Sequence, residues 1–140
     1  MKLFLKSNCY IVLRDKDGKI KDERRIHNTV TTAGKNGAAD QILASPTLGK
    51  PTHMAVGTGT PSGTALGTET DRNALTSKTR SGAVVTMVAD WAAGDATATL
   101  TEAGIFDAAS TGNMWCSSTF TAIVKGASDT LQITWTLTAA

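Results

Sequence analysis

The segment "TLQITWTLT", residues 130–138, alternates without a break: Leu131, Ile133, Trp135 and Leu137 are apolar, and Gln132, Thr134, Thr136 and Thr138 are polar. Successive side chains of an extended strand point to opposite faces, so a period of two places one face in a core and the other in water. Antiparallel sheets pattern in this way, whereas parallel sheets are covered on both faces and read as continuous apolar runs. The same period recurs in "AVVTMVADW", which puts Val85, Met87, Ala89 and Trp91 on one side, and in the N-terminal stretch, with Cys9, Ile11 and Leu13 on one face. "TATLTEAGIF" carries Leu100, Ile105 and Phe106 through Gly104, where a bend or bulge is expected. "NMWCSSTFTAIV" follows as a further strand. The clusters "AGDA", "DAASTGN" and "KGASD" fall between these runs as turns, and Asp15-Lys16-Asp17-Gly18-Lys19 closes a hairpin, because Gly tolerates positive φ and Asp bonds its own backbone. Regularly spaced strands with Gly-rich turns predict an all-β fold, an antiparallel β-sandwich of jelly-roll type, as a single domain over residues 1–140.

One segment breaks the pattern. "TTAGKNGAADQILASP" spaces Ala38, Ala39, Ile42 and Leu43 at three to four residues and ends at Pro46, which predicts one short helix near residues 33–44. Gly34 and Gly37 argue against its first turn. Thr, Ala and Gly stand out elsewhere, and the branched β-carbon of Thr favours the pleated surface over the helix.

The formal charge of +2 conceals an uneven layout. Residues 1–50 hold ten Lys and Arg against five Asp and Glu, and the remainder holds four against seven. This bipolar arrangement suits docking on an acidic protein surface or packing against further copies. Nucleic-acid binding is not expected, since clustered basic runs interleaved with aromatics are missing. The two cysteines, Cys9 and Cys116, are far apart in sequence and read as core thiols, with a disulfide between them possible but unsupported. The start Met-Lys-Leu-Phe-Leu-Lys opens like a secretory leader but is broken by Lys6, Ser7 and Asn8, and no stretch reaches membrane-spanning length. Synthesis in the cytoplasm is the simplest expectation.

The stretch most suggestive of chemistry is "HMAVGTGTPSGTALGTETDR", residues 53–72, where a short apolar strand enters a loop of glycines and hydroxylated residues. A dinucleotide fingerprint needs G-x-G-x-x-G leading into a helix whose N-terminus faces a pyrophosphate. Gly57, Gly59 and Gly63 are one residue too widely spaced, Pro61 lies among them, and no helical period follows. The Gly-Lys pairs at 18–19, 34–35 and 49–50 lack the Ser or Thr of a phosphate-binding loop. The loop is read as a crossing between strands, of the kind that contacts a neighbour in an assembly.

No cofactor or metal site is expected: His27 and His53 are the only histidines, and each is read as a surface or hydrogen-bonded residue. No G-x-S-x-G elbow anchors a Ser-His-Asp triad. Glu102 is the carboxylate expected to be partly buried, as a strand-end acid paired with Arg or backbone N–H rather than a catalytic acid. Trp91, Trp115 and Trp135 could form a sugar platform, but Trp91 and Trp135 lie on apolar faces and read as core. The run "KIKDERR" divides evenly between a solvated face and a partner interface, its Arg24 and Arg25 offering planar donors for carboxylates.

Taken in order, "VLRDKDGKIKDERRIHNTVTTAGKN", "HMAVGTGT…TALGTE", "LTEAGIFDAASTGNMW" and "VKGASDTLQITWTLT" resemble a family of tailed-bacteriophage virion structural proteins. The resemblance runs through nearly the whole chain, and each of its motifs is structural rather than catalytic. It implies a jelly-roll cement protein on the capsid exterior, made in the host cytoplasm, non-enzymatic and without catalytic residues to carry over. Gly57, Gly59, Glu102 and Gly104 then read as turn and bend positions. The partners it implies are the major capsid protein and further copies of the chain, as dimer or trimer, with no direct nucleic acid and no membrane. The residues expected at that interface are Lys19, Lys21, Arg24, Arg25, Thr58 and Thr60. The alternative from another class is a tail-fibre or receptor-binding module that recognises a host surface.

Overall fold

A computed structural model describes residues 5–139 and assigns nine strands and one helix. The strands are β1 Leu5–Arg14, β2 Ile20–Val30, β3 His53–Gly57, β4 Glu69–Ala74, β5 Ser77–Ser81, β6 Val84–Trp91, β7 Ala98–Phe106, β8 Met114–Lys125 and β9 Thr130–Ala139, with helix α1 at Thr32–Asp40. The Met-Lys-Leu-Phe of the leader-like start lies outside the described residues. Among the described residues no helix is long and apolar enough to cross a membrane.

Alternation predicted the antiparallel sense of the strands correctly. The sheet runs β4-β3-β7-β8-β2-β1-β9-β6-β5, and its pairs are antiparallel. Cross-strand register stacks the apolar faces in rows: Cys9 opposite Trp135 opposite Met87, Ile11 opposite Ile133 opposite Ala89, Leu13 opposite Leu131 opposite Trp91. Each of these side chains is buried, and fully burying a large apolar side chain stabilises the fold by about 1.5–3 kcal/mol. From the other half of the sheet, Met54, Val56, Leu100, Ile105 and Ile123 meet the same cluster.

The sheet is curled into a half-barrel around this core, and two stretches of chain turn its corners. β2 pairs with β1 as far as Asn28 and then with β8 through Thr29 and Val30, so a single strand serves both halves. On the far side, the edge strands β4 and β5 are separated in sequence only by Leu75 and Thr76, whose amides bond Thr52 and Val88 carbonyls respectively. The two ends of the sheet are therefore tied by the chain itself. The strand order does not confirm a jelly-roll sandwich.

Two local expectations are corrected. The helix stops at Asp40 rather than extending to residue 44, and Ile42 and Leu43 lie beyond it, exposed at 84% and 57%. The face that α1 buries is glycine: a β-carbon on Gly34 would sit 2.1 Å from the Trp115 carbonyl oxygen, and one on Gly37 would sit 2.2 Å from the Trp115 ring. The residues that weaken the helix locally are those that let its backbone lie on β8. Thr31 caps it, accepting from the Gly34 amide at 3.0 Å while its hydroxyl meets the Met114 and Trp115 carbonyls. At Gly104 there is no bulge, because it pairs in register with both Ala55 and Ser117; the register shifts fall on either side of it, at Leu100/Glu102 and Ile105/Phe106.

Gly34→Ala is expected to lower the urea midpoint by the equivalent of about 1–3 kcal/mol, as overpacking against fixed backbone does. Gly63→Ala, where a β-carbon meets nothing within 4 Å, should leave it within about 0.5 kcal/mol.

Candidate functional site

The glycine-rich loop does hold an anion, and that anion belongs to the protein. Glu102 lies on β7 opposite Gly57 of β3, with its side chain wholly buried. Its Oε1 accepts from the Gly67 amide at 2.7 Å, and its Oε2 from the amides of Gly59 and Thr68, both at 2.8 Å. The neighbouring Thr101 hydroxyl donates to the Gly59 carbonyl at 2.7 Å. A carboxylate taken out of water needs such donors, since burial without them costs several kcal/mol or more. Gly57 leaves room for the close approach: a β-carbon there would stand 2.5 Å from Glu102 Oε2 and 2.3 Å from the Thr68 carbonyl oxygen. Gly63, which the fingerprint reading would have needed, stands in open space, and Gly67 supplies an amide instead.

Other carboxylates do the same for other loops. Asp15 accepts the amides of Asp17 and Lys19 in the first hairpin. Asp40 accepts those of Thr47 and Leu48 after the helix, Asp107 that of Asn113, and Asp129 that of Gly126. The Leu48 amide holds the Asp40 carboxyl below the usual range, helped by Thr47; for Asp129 the main cause is the Lys21 ammonium, followed by the Gly126 amide.

The expected interface residues separate into two kinds. Arg24 and Arg25 are adjacent on a strand and so face opposite sides. Arg24 shares the core side with its partner Ile11, grips Asp22 at 2.8 and 2.9 Å and donates to the Thr121 carbonyl. Arg25 faces outward with its side chain 75% exposed, its guanidinium 4.1 Å from the centre of the Tyr10 ring. Lys21 binds Asp129 at 2.7 Å, whereas the side chain of Lys19 is exposed. Thr58 and Thr60 are exposed on the β3–β4 loop. That loop and the β1–β2 hairpin are separated in the sheet by β7 and β8.

The remaining candidates fall to structural roles. His27 Nδ1 lies 2.6 Å from Asn8 Oδ1, and His53 Nδ1 lies 2.8 Å from the Thr52 hydroxyl. Trp91, Trp115 and Trp135 are buried, and Trp135 donates to the Ser7 hydroxyl. Cys9 and Cys116 are free and buried; desolvation pushes the Cys116 thiol up to about 12 and that of Cys9 upward as well. Among the described residues no group of three or more His, Cys, Asp and Glu could hold a metal ion.

Two buried cations escaped the sequence reading. Arg72 lies over the Phe106 ring at 3.7 Å, bonds Glu69 and donates to the carbonyls of Ala108 and Thr111, fixing the β7–β8 turn. Lys125, 1% exposed, donates to the carbonyls of Ala92 and Asp129, and its desolvation lowers its pKa. Their one sequence signal is scarcity, because residues 51–140 contain only four Lys and Arg.

Compared with known proteins, the chain matches no family model, no curated protein and no solved structure.

Glu102→Gln replaces an acceptor by an amide that presents its own N–H₂ to backbone donors. It is expected to destabilise by about 1–3 kcal/mol and to speed hydrogen exchange at Gly59, Gly67 and Thr68 in particular. Asp40 and Asp129 have depressed folded-state pKa values, so their contribution is complete above the unfolded carboxyl value of about 3.9 and is lost as pH falls through the folded values. Thermal melts should therefore drop below about pH 4. Asp129→Asn should start less stable and show a shallower acid slope.

Proposed function

We propose that the chain is a non-enzymatic virion protein that decorates a bacteriophage capsid, binding its outer surface across major capsid subunits. The supporting observation is the direction in which its charges face. The carboxylates that turn inward bind the chain's own loops, while Lys19 and Arg25 project from the first hairpin into solvent. A body whose buried acids stiffen its loops presents a rigid surface, and a rigid surface loses little conformational entropy on docking. The serial resemblance of the chain's motifs to phage virion structural proteins supports the same reading, as does the basic N-terminal half.

In this account the curled sheet is a jelly-roll variant whose layers are linked through β2. The hairpin carrying Lys19 and Arg25 meets an acidic capsid surface, Thr58 and Thr60 reach a neighbouring subunit, and copies associate as a dimer or trimer. Modest contacts suffice, because copies arrayed on a closed shell raise one another's effective concentration.

Immunogold labelling of intact particles should decorate the whole head; label confined to the tail tip would replace this proposal with a host-recognition module. On heads stripped of the protein, the Lys19→Glu/Arg25→Glu variant should need at least about tenfold more protein for equal occupancy, corresponding to about 1.4 kcal/mol. Arg24 is unsuitable for charge reversal because Asp22 and the Thr121 carbonyl hold it within the fold.

A further inference from the structure

A groove of about 320 Å³ opens between the segment after α1 and the β5 edge of the sheet. Val85, Met87, Trp115 and Leu137 form its apolar floor. Its rim is cationic: Lys50 comes from the post-helix segment, and Lys78 and Arg80 come from β5. The register explains why these two cations stand over an apolar floor. Lys78 is opposite Met87 and Arg80 opposite Val85, so both point to the core side of the sheet. No carboxylate lines the groove among the described residues. Gln41 forms part of its wall, and the Gln41 amide nitrogen is closed off from solvent without a hydrogen-bond partner among the described residues.

Three further features coincide here. β5 ends the sheet, so along its outer side no strand pairs with it among the described residues, and each of its residues is exposed. Ile42, Leu43 and Leu48, three of the large apolar residues exposed on this chain, lie in the segment that forms one wall. A free strand edge invites an added strand, and cations pointing inward from an edge also discourage unselective pairing between like edges.

We infer that the groove and the β5 edge together receive an extended acidic peptide segment of another protein. Such a segment adds a strand beside Ser77–Ser81, lays an apolar side chain on the Trp115 and Met87 floor, and places carboxylates at Lys50 and Arg80. Charge selects this occupant over a second copy of the chain. Eight of the chain's twelve acids are engaged within the molecule: Asp15, Asp40, Glu102, Asp107 and Asp129 with loop amides, and Asp22, Glu23 and Glu69 with arginines. A second copy carries a formal charge of +2 and would bring the same Lys78 and Arg80 to a like edge, so it matches the cationic rim less well than an acidic segment does. This inference does not depend on where the protein resides and holds whether or not it decorates a capsid.

The test is a titration of the isotope-labelled full chain with a dye-labelled peptide of alternating Glu and Val, followed by amide chemical shifts and fluorescence anisotropy. The expected result is saturable binding with shifts concentrated at Lys50, Ser77–Ser81 and Trp115, weakened at least tenfold in Lys50→Glu/Arg80→Glu. Lys78 is left intact because it donates to the Pro51 carbonyl at 2.6 Å. A peptide of alternating Lys and Val should not bind. The inference is overturned by an absence of saturable binding up to millimolar peptide, by equal binding of the Lys peptide, or by shifts that map to β4 or the outer face. It is equally overturned if the same amides shift with protein concentration alone, which identifies a second copy as the occupant. Because the shift map is measured on the unaltered chain, a variant that fails to fold leaves the test decisive.

Discussion

A carboxylate that accepts backbone amides from a loop is the interaction on which this fold depends most. Strands satisfy their own peptide groups in the ladder, but connections do not, and an unpaired buried amide is costly. In this chain the long connection from β3 to β4 folds back over the sheet and directs its amides at Glu102. Asp40 terminates the helix and organises the segment after it by the same means, and Asp15, Asp107 and Asp129 hold the tight turns. Acidic side chains thereby substitute for secondary structure where the chain has none.

This arrangement also shapes what the surface can do. A carboxylate held by several amides offers its oxygens inward, so it is poorly placed to meet a ligand. The cations are divided differently. Arg24, Lys21, Arg72 and Lys125 are tied to carboxylates or carbonyls within the molecule, while Arg25 is largely open to solvent. In the proposed reading, recognition is left to the outward hairpin and to the sheet edge, both made of strands whose geometry the core dictates.

The strands were legible in the sequence where one face is buried. Leu131, Ile133, Trp135 and Leu137 repeat without interruption, and the structure buries all four. The Asp-Gly turn at residues 17–18 was equally plain, since Gly18 has a φ of +83° there. The helix was legible as an element but not at its end, because Ile42 and Leu43 continue the helical spacing while Asp40 diverts the backbone toward Thr47 and Leu48. The glycines of α1 were misread for a related reason: local propensity penalises them, and only contact with Trp115, far along the chain, shows their use. The loop after Gly57 was read as a crossing between strands, yet the carboxylate that its amides bind could not be read from spacing, since Glu102 is 43 residues from Gly59. Even so, one rule was available and missed. Period two assigns Arg24 and Arg25 to opposite faces of β2, so only one of them shares the core side with Ile11.

The pairing of β1 with β9 inside the sheet carries a consequence for how the protein comes into being. Leu5 lies beside Ala139, so an inner ladder of the sheet joins the earliest described residues to the last. Closing so long an intervening stretch is entropically expensive, and ribosomal synthesis proceeds from the amino end. The first hairpin can form as it emerges, but it must wait with one apolar flank uncovered until β9 has been made. Assembly of the core is therefore slow by the standard of local folds, and until β9 is available the chain is exposed to aggregation.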